Sequence, residues 1–184
     1  MSPSSLTDLE IKDIANKLAK LSPHGFIPYD LFVEFTRLKV TITIEVVPLC
    51  LDPNGEVNVV LYNRGPNDLW WPNLYHTPGT CLIADDIPDS DEWGLPTRAF
   101  ERLKNTELKD LVLIGEPKFV GNISHQVRRG PESDHVYIQE VEYNQKLNCF
   151  YKTNSLPLNL MDHQIGLIKK CSELFLAQKS SILK

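Results

Sequence analysis

Residues 40–61 constrain the fold most. From Val40 to Leu51, Thr41, Thr43 and Glu45 alternate with Ile42, Ile44 and Val46. A period of two sends successive side chains to opposite faces of a strand. Asp52-Pro53-Asn54-Gly55 then offers a turn, with proline second and glycine fourth. Glu56 to Arg64 returns with Val57, Val59, Val60 and Leu61, so the segment predicts a β-hairpin. Two strands alone are marginal in water, and the rest of the chain has to cover them.

Helical cover is available. Thr7 or Asp8 can cap a helix reaching about Leu21, with Leu9, Ile11, Ile14, Leu18 and Leu21 as its apolar stripe and Ser22-Pro23-His24-Gly25 as its stop. Pro28 precedes a short second helix from Tyr29 to Phe35, with Leu31, Phe32 and Phe35 inward. A third helix is expected from Thr97 to Leu108, and a last amphipathic one from His163 to Gln178. Leu111 to Val120 and His135 to Val141 read as strands, the first with a possible break at Gly115-Glu116-Pro117. Asn148 to Tyr151 reads as a short strand or a loop. The polar run from Asn122 to Asp134, with Arg128-Arg129-Gly130-Pro131 inside it, reads as a loop. This order is α+β rather than a repeated βαβ unit. The expected organisation is one domain over 1–184, with a helical extension at 1–38, a core at 39–155 and a C-terminal helix at 156–184.

Composition narrows the partners. A net charge of -5 argues against a broad nucleic-acid surface, which needs clustered Lys and Arg, but leaves room for a local basic pocket. No apolar run has the length of a membrane span, and the N-terminus lacks a secretory pattern, so a cytoplasmic protein is expected. Cys50, Cys81, Cys149 and Cys171 are far apart, in apolar contexts and without C-x-x-C spacing. They read as reduced, mostly buried thiols rather than a zinc site.

The chemistry concentrates between Trp70 and Leu108. Trp70-Trp71 leads to His76-Thr77-Pro78-Gly79-Thr80, then to acidic residues from Asp85 to Glu92 and the third helix. A hairpin ending in Leu61-Tyr62-Asn63-Arg64, a Trp-rich loop, a Pro-Gly turn, an acidic segment and a helix, taken together, resemble the Nudix superfamily. Its box runs Gly, five residues, Glu, seven residues, then Arg-Glu-apolar-x-Glu-Glu-x-Gly-apolar. Ile27 to Phe32 followed by Thr41 to Pro48 is similar to the start of Nudix proteins like GDP-mannose mannosyl hydrolases. The resemblance spans about residues 26–143. It implies an α/β/α sandwich around a mixed sheet, a small nucleotide-like ligand and Mg²⁺ or Mn²⁺. The implied reaction is cleavage of a diphosphate linkage in a nucleoside diphosphate derivative, such as a nucleotide sugar. The box departs from the pattern: Asp85 stands six positions after Gly79 where the family has Glu, and the link to the helix is longer. Anchored on Leu103, Asn105 and Thr106 fall on metal-ligand positions. Neutral oxygens bind Mg²⁺ far more weakly than carboxylates. The alternative implied reading is a Nudix-fold binding or regulatory domain without turnover.

Each candidate has a plain structural reading beside the functional one. Asp85 and Glu101 are the candidate catalytic groups, and Asp85, Glu101 and Glu107 the candidate metal ligands. Glu101 can instead pair with a nearby base on the helix surface. The acidic loop of Asp85, Asp86, Asp89, Asp91 and Glu92 can be merely solvated, with Asp89 to Asp91 capping the next helix. Arg64, Trp70, His76 and Arg128 are the candidate substrate contacts: the arginines for phosphate, together with Arg129, Trp70 or Trp71 for stacking on a base or sugar, and His76 for phosphate. Trp70 and Trp71 can equally be core anchors, His76 can pack beside Trp71, and Arg128-Arg129 can be a surface pair. His125, His135 and His163 lack metal-ligand spacing and read as structural. The apolar stripes of the terminal helices suggest a homodimer.

Overall fold

The computed structural model describes residues 6–22, 26–87 and 96–182. Strand β1 (Thr41–Leu51) is its central element. β1 runs parallel to β7 (Gly130–Val141) over the register Thr41–Glu132 to Leu49–Glu140. Its later half pairs antiparallel with β2 (Val57–Val60), closing the expected hairpin at Asp52–Gly55. Its earlier half pairs antiparallel with β5 (Gly79–Cys81). With β6 (Leu113–Val127) and β8 (Phe150–Lys152) the sheet order is β6-β7-β1-β2-β8. A ribbon of β3 (Tyr62–Asn63) and β4 (Tyr75–His76) stands beside it.

Central strands buried on both faces need apolar residues at odd and even positions alike, as in Val46-Val47-Pro48-Leu49-Cys50. Val47, Leu49, Val59, Val136 and Ile138 meet Leu167, Ile168, Cys171 and Phe175 of α4 (Asp162–Ile182). Ile44, Val46, Val60, Tyr137 and Val141 meet Ala99, Phe100 and Leu103 of α3 (Thr97–Lys104) on the other side. The result is the expected α+β sandwich, a mixed sheet between helices. Cys50 and Cys171 are buried free thiols, and Cys81 and Cys149 are half-buried.

The N-terminal helices differ in their packing. α1 (Asp8–Leu18) closes a capping box between Thr7 and Glu10 and buries none of its residues, leaving Leu9, Ile11 and Ile14 exposed. α2 (Tyr29–Leu38) lies against β7 where Gly130 passes under Thr36.

Two expectations are corrected. The polar segment Asn122 to Asp134 is the distal half of a long β6–β7 hairpin, paired from Asn122–His135 to Val127–Gly130. Its alternation is polar on both sides because much of it is edge strand, so it lacks the apolar signal of a core strand. The third helix ends at Lys104, with Asn105 as its C-cap and Glu107 in the turn beyond. Asp89, Asp91 and Glu92, and any capping by Asp89 to Asp91, lie outside the described residues.

Arg102 ties α3 to the sheet. Arg102 donates to Asp86 through Nε to Oδ1 at 3.1 Å and Nη2 to Oδ2 at 2.5 Å, and its Nη1 and Nη2 also reach Thr80 Oγ1 and the Cys81 carbonyl. Asp86 is 1% exposed and also accepts the Ile83 N–H at 2.9 Å. Replacing Arg102 with alanine strands a buried carboxylate and is expected to cost about 3 kcal/mol in urea unfolding. At Gly130, φ is +141° and an added Cβ would lie 2.0 Å from the Thr36 carbonyl oxygen. Gly130→Ala is expected to cost about 2 kcal/mol or more by the same measurement, through overpacking against α2 and strain at this φ.

Candidate functional site

A cleft of about 930 Å³ opens between α2 and the sheet, within the size range of small-molecule sites. Its aromatic side comes from one stretch of chain: Phe26, then Tyr29, Phe32 and Phe35 on the face of α2. Its polar side comes from four separate places: Arg64 after β3, His76 of β4, Glu107 after α3 and Arg129 in the β6–β7 turn.

The loop after β3 holds Arg64 by its own geometry. Asp68 Oδ1 accepts the N–H groups of Trp70 and Trp71 at 3.0 and 2.8 Å, and Asp68 Oδ2 accepts Arg64 Nη1 at 2.9 Å. The Arg64 and Arg129 guanidiniums lie 5.2 and 5.4 Å from the Trp71 ring centre, cation–π contacts that bring two cations together. Arg64 Nε is buried without a protein acceptor, a donor that a ligand oxygen can satisfy. Trp71 is thus a buried platform for the arginines. Trp70 packs on Tyr29 and Phe32, at centroid distances of 6.2 and 6.4 Å, and holds α2 over the cleft.

Three of the sequence-derived candidates, Arg64, His76 and Glu107, meet in this cleft. The others sit elsewhere. Glu101 is exposed and accepts Lys104 Nζ at 2.7 Å. Asp85 lies in the 3-10 turn Ala84–Asp86, and its carbonyl accepts Arg98 Nη1 at 2.8 Å. Arg128 donates to the Trp70 carbonyl at 2.7 Å, while its neighbour Arg129 takes the cleft position. Asp85, Glu101 and Glu107 therefore have three different surroundings. On α3 and the turn after it, Glu107 is the carboxylate that faces the cleft, and its Oε2 already accepts the Gly79 N–H at 3.0 Å. This donor set does not fit a metal held by paired helix carboxylates. Counting the box from Arg102, Glu107 falls on its second Glu of the Glu-Glu pair and Thr106 on the first.

Glu45 is the residue that sequence reasoning missed. It points from β1 beneath the Pro78-Gly79 turn and accepts Thr77 Oγ1 at 2.5 Å and Gln164 Nε2 at 2.8 Å. A Cβ on Gly79 would come within 2.5 Å of Glu45 Oε2, so any side chain there would have to displace the Glu45 carboxylate. The alternation of Thr41, Thr43 and Glu45 signalled a polar face but not that α4 and the turn would cover it.

Burial sets the protonation states here. It pushes Glu45 well above the carboxylate range, opposed by the Thr77 hydrogen bond and reinforced by Asp134 and Glu107. It also raises Glu107, against the Gly79 N–H and Arg64. His76 is lowered to about 4, chiefly by burial and then by Arg64. Its Nδ1 lies 2.7 Å from the Thr77 carbonyl and so carries the proton, which leaves Nε2 facing Glu107 at 3.8 Å as an acceptor. A second group gathers next to this floor: His125, Glu132 and Asp134 bring ligand atoms within 4.8 Å of one another.

The signs of these shifts give a test. Glu45 binds its proton more tightly folded than unfolded, so it adds stability below the ordinary carboxylate range that is lost as pH rises through its raised value. His76 acts oppositely: its contribution is present above the ordinary 6.5 and is lost as pH falls through about 4. Glu45→Gln keeps an oxygen for Thr77 and Gln164. It is expected to flatten the decline of stability on the alkaline side, read as urea midpoints between about pH 5 and pH 8.

No family model matches the sequence, and no curated protein matches it. Solved structures do. The Nudix domain of Shewanella oneidensis NrtR, solved with ADP ribose, aligns with a TM-score of 0.52 at 13% identity, over 88% of this chain and 97% of that one. The C. elegans Ap4A hydrolase aligns with a TM-score of 0.50 at 13% identity, over 74% and 99%. A chain of the complex between the C-terminal domain of mouse MUTYH and human PCNA aligns with a TM-score of 0.52 at 11% identity, over 76% and 91%. With its mixed sheet between helices and its cleft beside the Pro-Gly turn, the chain has the Nudix fold.

Proposed function

We propose that this chain is a Nudix-fold domain that binds a small nucleotide-like ligand, with its base on the aromatic face of α2 and its phosphates at Arg64 and Arg129. The observation that carries this reading is the pairing, in one cleft, of that aromatic wall with two guanidiniums gathered on Trp71. Aromatic rings stack on flat bases with little regard to their identity. Guanidinium forks match phosphate oxygens, and the unsatisfied Arg64 Nε is one such donor. ADP ribose in the NrtR domain is a ligand of this chemical class, although that likeness extends to the fold alone.

Diphosphate hydrolysis is the second reading, and Glu107 favours it. A half-buried carboxylate with a raised pKa, facing the cleft beside a neutral His76, has the properties of a general base. Mg²⁺ or Mn²⁺, which the resemblance implies, is not needed for the binding reading.

Thermal shift and calorimetry with ADP-ribose, nucleoside diphosphate sugars and dinucleoside polyphosphates test both readings, alongside phosphate-release assays with Mg²⁺ and Mn²⁺. Saturable binding is expected with at least one class. Arg129→Ala and Phe32→Ala should each weaken it by about tenfold or more, in line with loss of a charge-assisted contact or a stacked ring. Binding without turnover establishes the first reading. Turnover abolished by Glu107→Gln establishes the second, and absence of binding across all three classes overturns both.

A further inference from the structure

We propose that His125, Glu132 and Asp134 form a binding site for a first-row divalent cation such as Zn²⁺ or Mn²⁺, built on the β6–β7 hairpin away from the box helix. The register makes the cluster. His125 of β6 is the direct cross-strand partner of Glu132 on β7, and Asp134 lies two residues along the same face. Their ligand atoms fall within 4.8 Å of one another, and Glu132 and Asp134 are 5% and 4% exposed.

The distances suit an ion better than a hydrogen bond. His125 Nε2 lies 2.9 Å from Asp134 Oδ2, yet that nitrogen is buried and makes no hydrogen bond. Two neighbouring ligands of an octahedron with bonds of about 2.1 Å stand about 3 Å apart. The other Asp134 oxygen is fixed by Thr43 Oγ1 at 2.6 Å, which orients the carboxylate as outer hydrogen bonds orient metal ligands. Arg129 pairs with Glu132, but a carboxylate has about four lone-pair sites and can serve both. One guanidinium leaves the two carboxylates with excess negative charge, which a divalent cation offsets. A cavity of about 50 Å³ borders Glu132, Asp134 and His163. The His163 ring stands 5.0 Å from His125, edge to face, on the side of this cavity. Imidazole with carboxylates suits Zn²⁺ and Mn²⁺ rather than the soft ions that thiolates select.

Calorimetric titration of the chelator-treated full chain with Zn²⁺ and, separately, Mn²⁺ tests the site without any nucleotide, so its outcome is independent of the ligand reading. Saturable binding of one equivalent of at least one ion is expected. His125→Ala and Asp134→Asn should each weaken it by about tenfold or more, whereas His135→Ala, outside the cluster, should leave it unchanged. Circular dichroism establishes that each variant is folded, and if Asp134→Asn is not, His125→Ala, at a less buried position on the edge strand, decides alone. Absence of saturable binding for both ions, or undiminished binding in folded His125→Ala, overturns the proposal.

Discussion

The parallel pairing of β1 with β7 is the constraint on which the rest depends. Nine consecutive register pairs join residues 91 apart in sequence, and the chain between them has to make the crossover. That intervening chain contains the Trp loop, the Pro-Gly turn, α3 and β6. The same register sets Thr43 beside Asp134 and brings Glu45 close enough to feel its charge. Apolar residues over the last two-thirds of β1 seat both helix layers, while Thr41, Thr43 and Glu45 hold the polar floor. One strand is therefore core at one end and site at the other.

How far the sequence reveals this depends on whether a signal is local. The β1–β2 hairpin is legible because alternation, a Pro-Gly turn and a valine-rich return all lie within about twenty residues. α1 is legible through its cap, although its stripe faces outward. The distal β6–β7 hairpin is not legible, since the β6 half is a polar edge strand and the buried positions of the β7 half are the acids Glu132 and Asp134 rather than apolar residues. His125 and Glu132 are seven residues apart, which suggests no ligand spacing until a turn at Arg128-Arg129 folds them face to face.

The same division applies to the cleft. Arg64 and His76 can be found because each flanks a recognisable turn. Glu107 emerges once α3 is seen to stop at Lys104, which releases the next residues from helical spacing. Asp86, not Asp85, is the buried acid of its turn, since burial goes to the residue that Arg102 can reach. Glu45 looks like an ordinary outward strand residue, and only the approach of the Gly79 backbone from another strand makes it the enclosed acid beneath the site.

The aromatic wall of the cleft is contiguous, from Phe26 to Phe35, whereas the cationic side is assembled from β3 and a distant hairpin turn. On the proposed ligand reading, recognition of the flat and the anionic halves is thus separable in heredity. Insertions, exchanges or point changes in one short segment can re-specify the flat moiety while the anion-holding side and the sheet stay intact. The lining of the cleft can therefore diversify without the chain having to fold anew.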